Sequence, residues 1–378
     1  MERYVLAPDS FKGTLESREI CAIVTEEILR AKPNAQVISL PVADGGEGSV
    51  DAFLTALGGT RVDVPCHGPY MEPITGFYGM LPNGIAVIEV AAAAGLPLVG
   101  ENRDPSKTTT YGIGELMAHA AANGAKQIIL GLGGSATNDG GCGAAAALGI
   151  QFLDADGNTF VPTGGSLSRL CKIDATNALP LPQITVMCDV KNPLCGENGA
   201  SAVFGPQKGA TPEMVKALDT NLRHLAAIIH RDIGTDVMGL PGAGAAGGMG
   251  GGAVAFFHGK MQMGIEVVLD TVDFDRIVKG ARLVITGEGR LDGQSLQGKV
   301  IDGVAKRASR ANVPVVAIVG AVGDGADSIY ELGVCGVFTT NHAPVPFEIA
   351  KHHAHENLRR TARNLIGLID ALDRQNIR

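Results

Sequence analysis

Apolar positions over the first sixty residues read as strand, helix, strand, helix. A short apolar run predicts a strand over 4–7. Ser17 then stands where a helix cap belongs, ahead of a stripe made by Ile20, Ile23, Val24 and Ile28 at i, i+3, i+4 and i+8. A second strand is predicted over 37–42 and a second helix over 48–57. The last hundred residues repeat the alternation. Strands are predicted over 283–285, 315–319 and 336–338, and helices over 300–308 and 328–332. A long final helix is predicted over 347–372, with Leu358, Ala362, Leu365, Ile366 and Ile369 along its stripe.

Short apolar strands that alternate with amphipathic helices imply a parallel sheet covered on both faces. The two ends of the chain supply five such strands, and the flavodoxin-like order 2-1-3-4-5 is a natural arrangement, with ligands at the carboxyl ends. The middle differs. Apolar segments broken by Gly and Pro over 65–97 suggest a meander or hairpins. A helix over 113–123, strands over 127–132, 151–153 and 185–188, and a helix over 212–231 follow. The chain is therefore read as α/β, with a discontinuous domain of residues 1–65 plus 281–378 and a second α/β domain, 66–280, inserted into it.

Composition narrows the function. Thirty-one basic residues against 39 acidic ones give a net charge of −8, without a basic cluster of the kind that nucleic acid requires. Seven dispersed cysteines without a CxxC pair suit reduced thiols, and no signal core or membrane-length apolar run is evident, so a soluble cytoplasmic protein is expected. The unusual number is 52 glycines, gathered in blocks beside Ser, Thr, Asn and Asp, a pattern that fits backbone approaching a ligand.

Four of these blocks follow predicted strands. They are Asp9-Ser10-Phe11-Lys12-Gly13-Thr14, Asp44-Gly45-Gly46-Glu47-Gly48, the stretch Gly131 to Gly141 containing Ser135-Ala136-Thr137-Asn138-Asp139, and Thr286-Gly287-Glu288-Gly289-Arg290-Leu291-Asp292-Gly293. Singly, each is also the signature of a tight turn or a capped helix start. Together they place Lys12 and Arg290 near several carboxylates, the set that phosphoryl transfer needs: cations and N–H groups for the transferring group, carboxylates for Mg²⁺, and a base for the hydroxyl proton. Asp44, Glu47, Asp189 and Asp292 are candidates for metal or base, and Ser135, Thr137 and the glycine N–H groups for a phosphate cradle. Asp189, after the strand over 185–188, is the favoured base, with Asp44 and Asp292 as rivals. The block Gly242 to Gly252 contains no GxxxxGK[ST] and is read as partly close packing and partly ligand loop. The histidines near 352–355 are read as a solvated helix face.

The quoted motifs, Asp-Ser-Phe-Lys-Gly-Thr, Ala-Asp-Gly-Gly-Glu-Gly, Gly-Leu-Gly-Gly-Ser-Ala-Thr-Asn-Asp-Gly-Gly and Thr-Gly-Glu-Gly-Arg-Leu-Asp, resemble in order the signatures of type I glycerate kinase, the bacterial glycerate 2-kinase family. The resemblance spans essentially the whole chain. It implies transfer of phosphate from ATP to (R)-glycerate to give ADP and 2-phosphoglycerate, and Mg²⁺ is the cofactor that such a transfer calls for. It also implies a flavodoxin-like domain carrying an inserted, restriction-endonuclease-like mixed sheet, with the active site between the two. Chemistry and position along the chain, rather than the resemblance, make Lys12, Asp189 and Arg290 the expected catalytic residues. Ser10, Gly45, Gly46, Ser135, Thr137, Asn138, Asp139, Gly287 and Glu288 are expected to bind substrate or nucleotide, and Asp44, Glu47 and Asp292 the metal. Expected partners are glycerate and ATP, without nucleic acid or membrane, in a monomer or homodimer. A kinase for another hydroxy acid and a non-catalytic metabolite sensor are the alternative readings.

Overall fold

A computed structural model of the chain describes residues 2–40, 42, 48–293, 299–343 and 345–376. In chain order the strands are β1 (Arg3–Pro8), β2 (Gln36–Ser39), β3 (Thr60–His67), β4 (Pro73–Met80), β5 (Ile85–Glu89), β6 (Gln127–Gly131), β7 (Gln151–Leu153), β8 (Lys172–Asp174), β9 (Gln183–Met187), β10 (Lys260–Gln262), β11 (Leu283–Leu291), β12 (Val315–Val322) and β13 (Val334–Thr339). They divide between two compact units, Met1–Asp44 with Ile265–Arg378, and Gly45–Gly264.

The first unit holds a sheet in the order β2-β1-β11-β12-β13, with every neighbouring pair parallel. The predicted stripe does its work here. Ile20, Ile23, Val24 and Ile28 of the helix Ser17–Ala31 are buried with Tyr4, Leu6, Leu283 and Ile285, and with Leu358, Ala362, Leu365 and Ile366 of the helix Ala354–Asn376. The cap falls one residue earlier than predicted: Glu16 and Glu19 form a reciprocal capping box. Ser17 instead donates its hydroxyl to the Pro8 carbonyl at 2.6 Å and accepts from Val42 N at 3.2 Å, tying the helix start to the end of β1. Between these two helices Glu27 is buried and paired with Arg30, Arg359 and Arg363. Burial by itself would push this carboxyl up, but hydrogen bonds from Arg363 and Arg359 and the charge of Arg30 hold it below the usual carboxylate range.

The second unit holds a mixed sheet in the order β10-β9-β6-β5-β4-β3. The segment read as a meander is the antiparallel run β3-β4-β5, whereas β5, β6, β9 and β10 are parallel neighbours. Strands β7 and β8 form a separate antiparallel pair. The helix Pro212–Ile233 is bounded as its sequence implies: Thr211 accepts from Met214 N at its start, and Gly234 takes a left-handed φ of 82° at its end.

The boundaries between units differ from the sequence reading by about twenty residues. The helix Ser49–Leu57 goes with the second unit because Val50 and Leu54 pack on Gly79 of β4. Residues 265–278 go with the first, because Ile265 packs on Gly303 while Arg307 holds Glu266 and Asp270.

Candidate functional site

Each unit carries its own cluster of polar loops at the carboxyl ends of parallel strands. In the first, Asp9 N donates to Gly287 O at 2.8 Å as the chain leaves β1. A tight turn follows, in which Phe11 N donates to Leu15 O and Thr14 Oγ1 to Phe11 O, both at 2.8 Å, with Gly13 at a left-handed φ of 81°. Phe11 is buried and Lys12 exposed. Ser10 is half-buried, its N–H donating to Asp9 Oδ1 at 2.7 Å. This turn lies on the end of β11: a Cβ on Gly289 would sit 3.3 Å from Lys12 N and from Phe11 Cα. The structure thus brings the Lys12 loop against the residue preceding Arg290.

The segment 286–293, read from sequence as a loop, is mostly strand. β11 runs on to Leu291 because Gly287, Glu288, Arg290 and Leu291 continue the ladder with β12. Gly287 is needed for packing, since a Cβ there would collide with the Ile318 carbonyl, and Glu288 is buried. Arg290 emerges at the end, 71% exposed along its side chain, with Nε 3.6 Å from Asp292 Oδ2.

In the second unit, register aligns Glu89, Gly131 and Met187 at the ends of β5, β6 and β9. Glu89 is buried and accepts from Gly48 N at 2.9 Å. Asp189, just beyond β9, is exposed, and its Oδ1 accepts from Gly264 N at 2.7 Å. The loop after β6 is held on one side by Leu96 N donating to Gly134 O and Ala136 N to Ala94 O, at 2.9 and 2.8 Å. The Gly-rich block 242–252 supports its far end. Ala246, Gly247 and Gly248 run consecutively at positive φ, and Gly140 N donates to Gly247 O at 3.0 Å. A Cβ on Gly247 would collide with Thr137 O. These glycines let two backbones touch, and the block's role seen here is packing.

The loop's side chains divide sharply. Asn138 is buried and bonded to Ser201 at 3.0 Å. Asp139 is buried too: Oδ1 accepts from Gly141 N, and Oδ2 from Thr110 N, Thr110 Oγ1, Gly143 N and, at 3.4 Å, Thr109 Oγ1. Burial pushes this carboxyl up, while those donors favour its ionised form. Both side chains are buried and hydrogen-bonded to neighbouring protein groups. Ser135 and Thr137, by contrast, meet a residue that no motif singled out. Lys208, on the short turn Pro206–Lys208, is 2% exposed and donates to Ser135 Oγ at 2.8 Å and to Thr137 O at 2.7 Å. Burial pulls its ammonium down to about 7, with the Asp139 charge opposing. Thr137 Oγ1 is buried without a hydrogen-bond partner among the described residues.

Asp44, Gly45, Gly46 and Glu47 lie outside the described residues, leaving Asp292 as the described member of the expected metal set. Among the described residues no group of three or more His, Cys, Asp or Glu is placed to hold a metal ion. Magnesium takes only one or two carboxylates from a protein when water and phosphate oxygens supply its other ligands. Two signals were available for the residues missed: Glu89 is a single carboxylate closing an apolar run, Ile85-Ala86-Val87-Ile88, and Lys208 sits between glycines in Gly205-Pro206-Gln207-Lys208-Gly209. No helix among the described residues is long and apolar enough to cross a membrane.

Parallel strands ending in glycine-rich, polar loops define an α/β protein, with a parallel sheet in one unit and a mixed sheet in the other. The profile of the glycerate kinase family matches residues 4–370, and the chain belongs to that family. It is 44% identical to a glycerate kinase of Bacillus cereus, over 96% of this chain and 97% of that one. It is 43% identical to the glycerate 2-kinase of Escherichia coli, again over 96% and 97%. A crystal structure from Salmonella typhimurium LT2, assigned as a glycerate kinase 2, superposes with a TM-score of 0.88 at 44% identity, covering 99% of both chains.

Proposed function

We propose that this protein is an ATP-dependent kinase that phosphorylates (R)-glycerate on its 2-hydroxyl, giving ADP and 2-phosphoglycerate. The observation that carries the reading is the near end-to-end match to glycerate kinases, one of them named for the 2-position. The order of the first unit's sheet, with its loops at the carboxyl ends, suits a flavodoxin-like arrangement.

In this reading the hydroxyl oxygen of glycerate attacks the γ-phosphorus, the bond from that phosphorus to the bridging oxygen of ADP breaks, and the hydroxyl proton passes to a carboxylate. Asp189 is the base we favour; its hydrogen bond from Gly264 N fixes the carboxylate while leaving it exposed. Asp44 and Asp292 are the alternatives. Lys12 offsets phosphate charge, and Arg290 grips either the substrate carboxylate or the transferring group, for which a guanidinium fork is suited. Ser10, Ser135, Thr137 and loop N–H groups contact phosphate oxygens. Asp292, with Asp44 and Glu47, would hold Mg²⁺, which when bound neutralises charge on the phosphates.

A coupled ADP-release assay with glycerate, lactate, tartronate and hydroxypyruvate tests the substrate, and phosphorus NMR of the product tests the position. Release with glycerate and a 2-phosphate signal are expected. Silence with every acid, despite nucleotide binding, would mean a sensor, and a 3-phosphate signal would refute the regiochemistry.

A further inference from the structure

A buried lysine without a carboxylate at ion-pair distance is costly to fold around, because its charge leaves water and no opposite charge replaces the hydration. Lys208 is such a residue among the described ones. Its two hydrogen bonds go to a hydroxyl and a carbonyl, and Asp139 acts on it only through space. The backbone around it is clamped. Lys208 N donates to Gly205 O and Gly209 N to Pro206 O, at 2.9 and 3.0 Å, and Arg103 Nη1 holds Gln207 O at 3.0 Å. Gly209 adopts a φ of 93° to pack against the Arg103 carbonyl. The amine is therefore delivered to one place, beneath the loop that follows β6.

The direction of its hydrogen bonds has a chemical consequence. A hydroxyl carries one proton to donate. Because Lys208 donates to Ser135 Oγ, that oxygen is committed as an acceptor toward the amine, and no described residue accepts the Ser135 O–H. We propose that Lys208 is a positioning residue of this loop: it fixes Ser135 so that its O–H is left to donate to a phosphate oxygen of the nucleotide, and it sets a positive charge behind that contact. This rests on the loop being a phosphate cradle. The energetic cost of burying the amine is then offset when an anion binds, and an ammonium held near neutrality becomes more firmly charged in the complex.

The test uses the full-length protein with Ser135→Ala, Lys208→Met, Lys208→Gln and the Ser135→Ala/Lys208→Met pair. Melting, ADP affinity by calorimetry, and kcat and KM for each substrate are measured. Each single change, Lys208→Gln apart, is expected to lower kcat about 10²-fold, the scale for losing one oriented donor. ADP binding should weaken about tenfold with the KM for the acid unchanged. The pair should be no worse than the poorer single variant, and Lys208→Gln, which still offers Ser135 an N–H, should recover part of the loss. Unaltered kinetics in Ser135→Ala would overturn the cradle and this proposal with it. A folded Lys208→Met with wild-type kcat and ADP affinity, beside an impaired Ser135→Ala, would overturn the role of Lys208 alone. Additive losses in the pair would do the same, and so would failure of both Lys208 variants to fold, which would assign the amine to the fold.

Discussion

Replacing Lys208 by methionine should change how stability depends on pH. An ammonium whose pKa falls from 10.5 to about 7 on folding releases its proton as the chain folds at any pH between those values. The unfolded chain then holds more protons than the folded one, so raising the pH stabilises the folded state. The penalty is complete below pH 7 and corresponds to about 5 kcal/mol; it is relieved by about 1.4 kcal/mol per pH unit above that point. Methionine removes the penalty, but also removes two hydrogen bonds and strands the Ser135 and Thr137 oxygens, which together cost about as much. At pH 7 the two proteins should therefore differ little. Between pH 7.5 and 9 the wild type should gain about 2 kcal/mol relative to Lys208→Met. Urea denaturation of both at the two pH values, following the transition that carries the second unit, measures this difference. Buried thiols such as Cys142 and Cys195 ionise more readily in the unfolded chain, but identically in both proteins, so the subtraction removes them. Stability curves that stay parallel across that range would refute the buried-charge argument.

Lys12→Ala and Arg290→Ala alter exposed side chains, so each should melt within about 0.5 kcal/mol of wild type while losing two to three orders of magnitude in turnover; near-normal kcat in both would remove them from the site. Glu27→Gln should destabilise the first unit by about 2 kcal/mol at pH 7. A carboxyl held below its usual value stabilises above its unfolded pKa of about 4.5, and that contribution disappears as the pH falls through the lower, folded value, so the variant and wild type should converge in acid. Asp139→Ala strands the N–H groups of Thr110, Gly141 and Gly143 in a dry interior and should cost the second unit about 3 kcal/mol or more, read as a lowered melting transition.

What the chain determines locally was legible. The stripes Ile20-Ile23-Val24-Ile28 and Leu358-Ala362-Leu365-Ile366 are buried as their spacing implies, because helical periodicity is contained within a few turns. The position of Lys12 just beyond a strand is local in the same way, and so is the Gly13 turn. Other features depended on which surfaces meet. Arg290 sits at the end of a nine-residue strand rather than in a loop because β12 extends the ladder beside it. Asp139 reads as a ligand residue in a Gly-Ser-Ala-Thr-Asn-Asp string, yet its principal donors come from Thr110, twenty-nine positions earlier. The Gly242 block resembles a nucleotide loop until the backbone of residues 137–140 is laid against it. Lys208 reaches Ser135 across seventy-three positions. Hydrophobic spacing specifies an element and its inner face, whereas the environment of a polar group is set by chain folded onto it from elsewhere, and only the tertiary structure decides whether a charge meets water, a carboxylate or a hydroxyl.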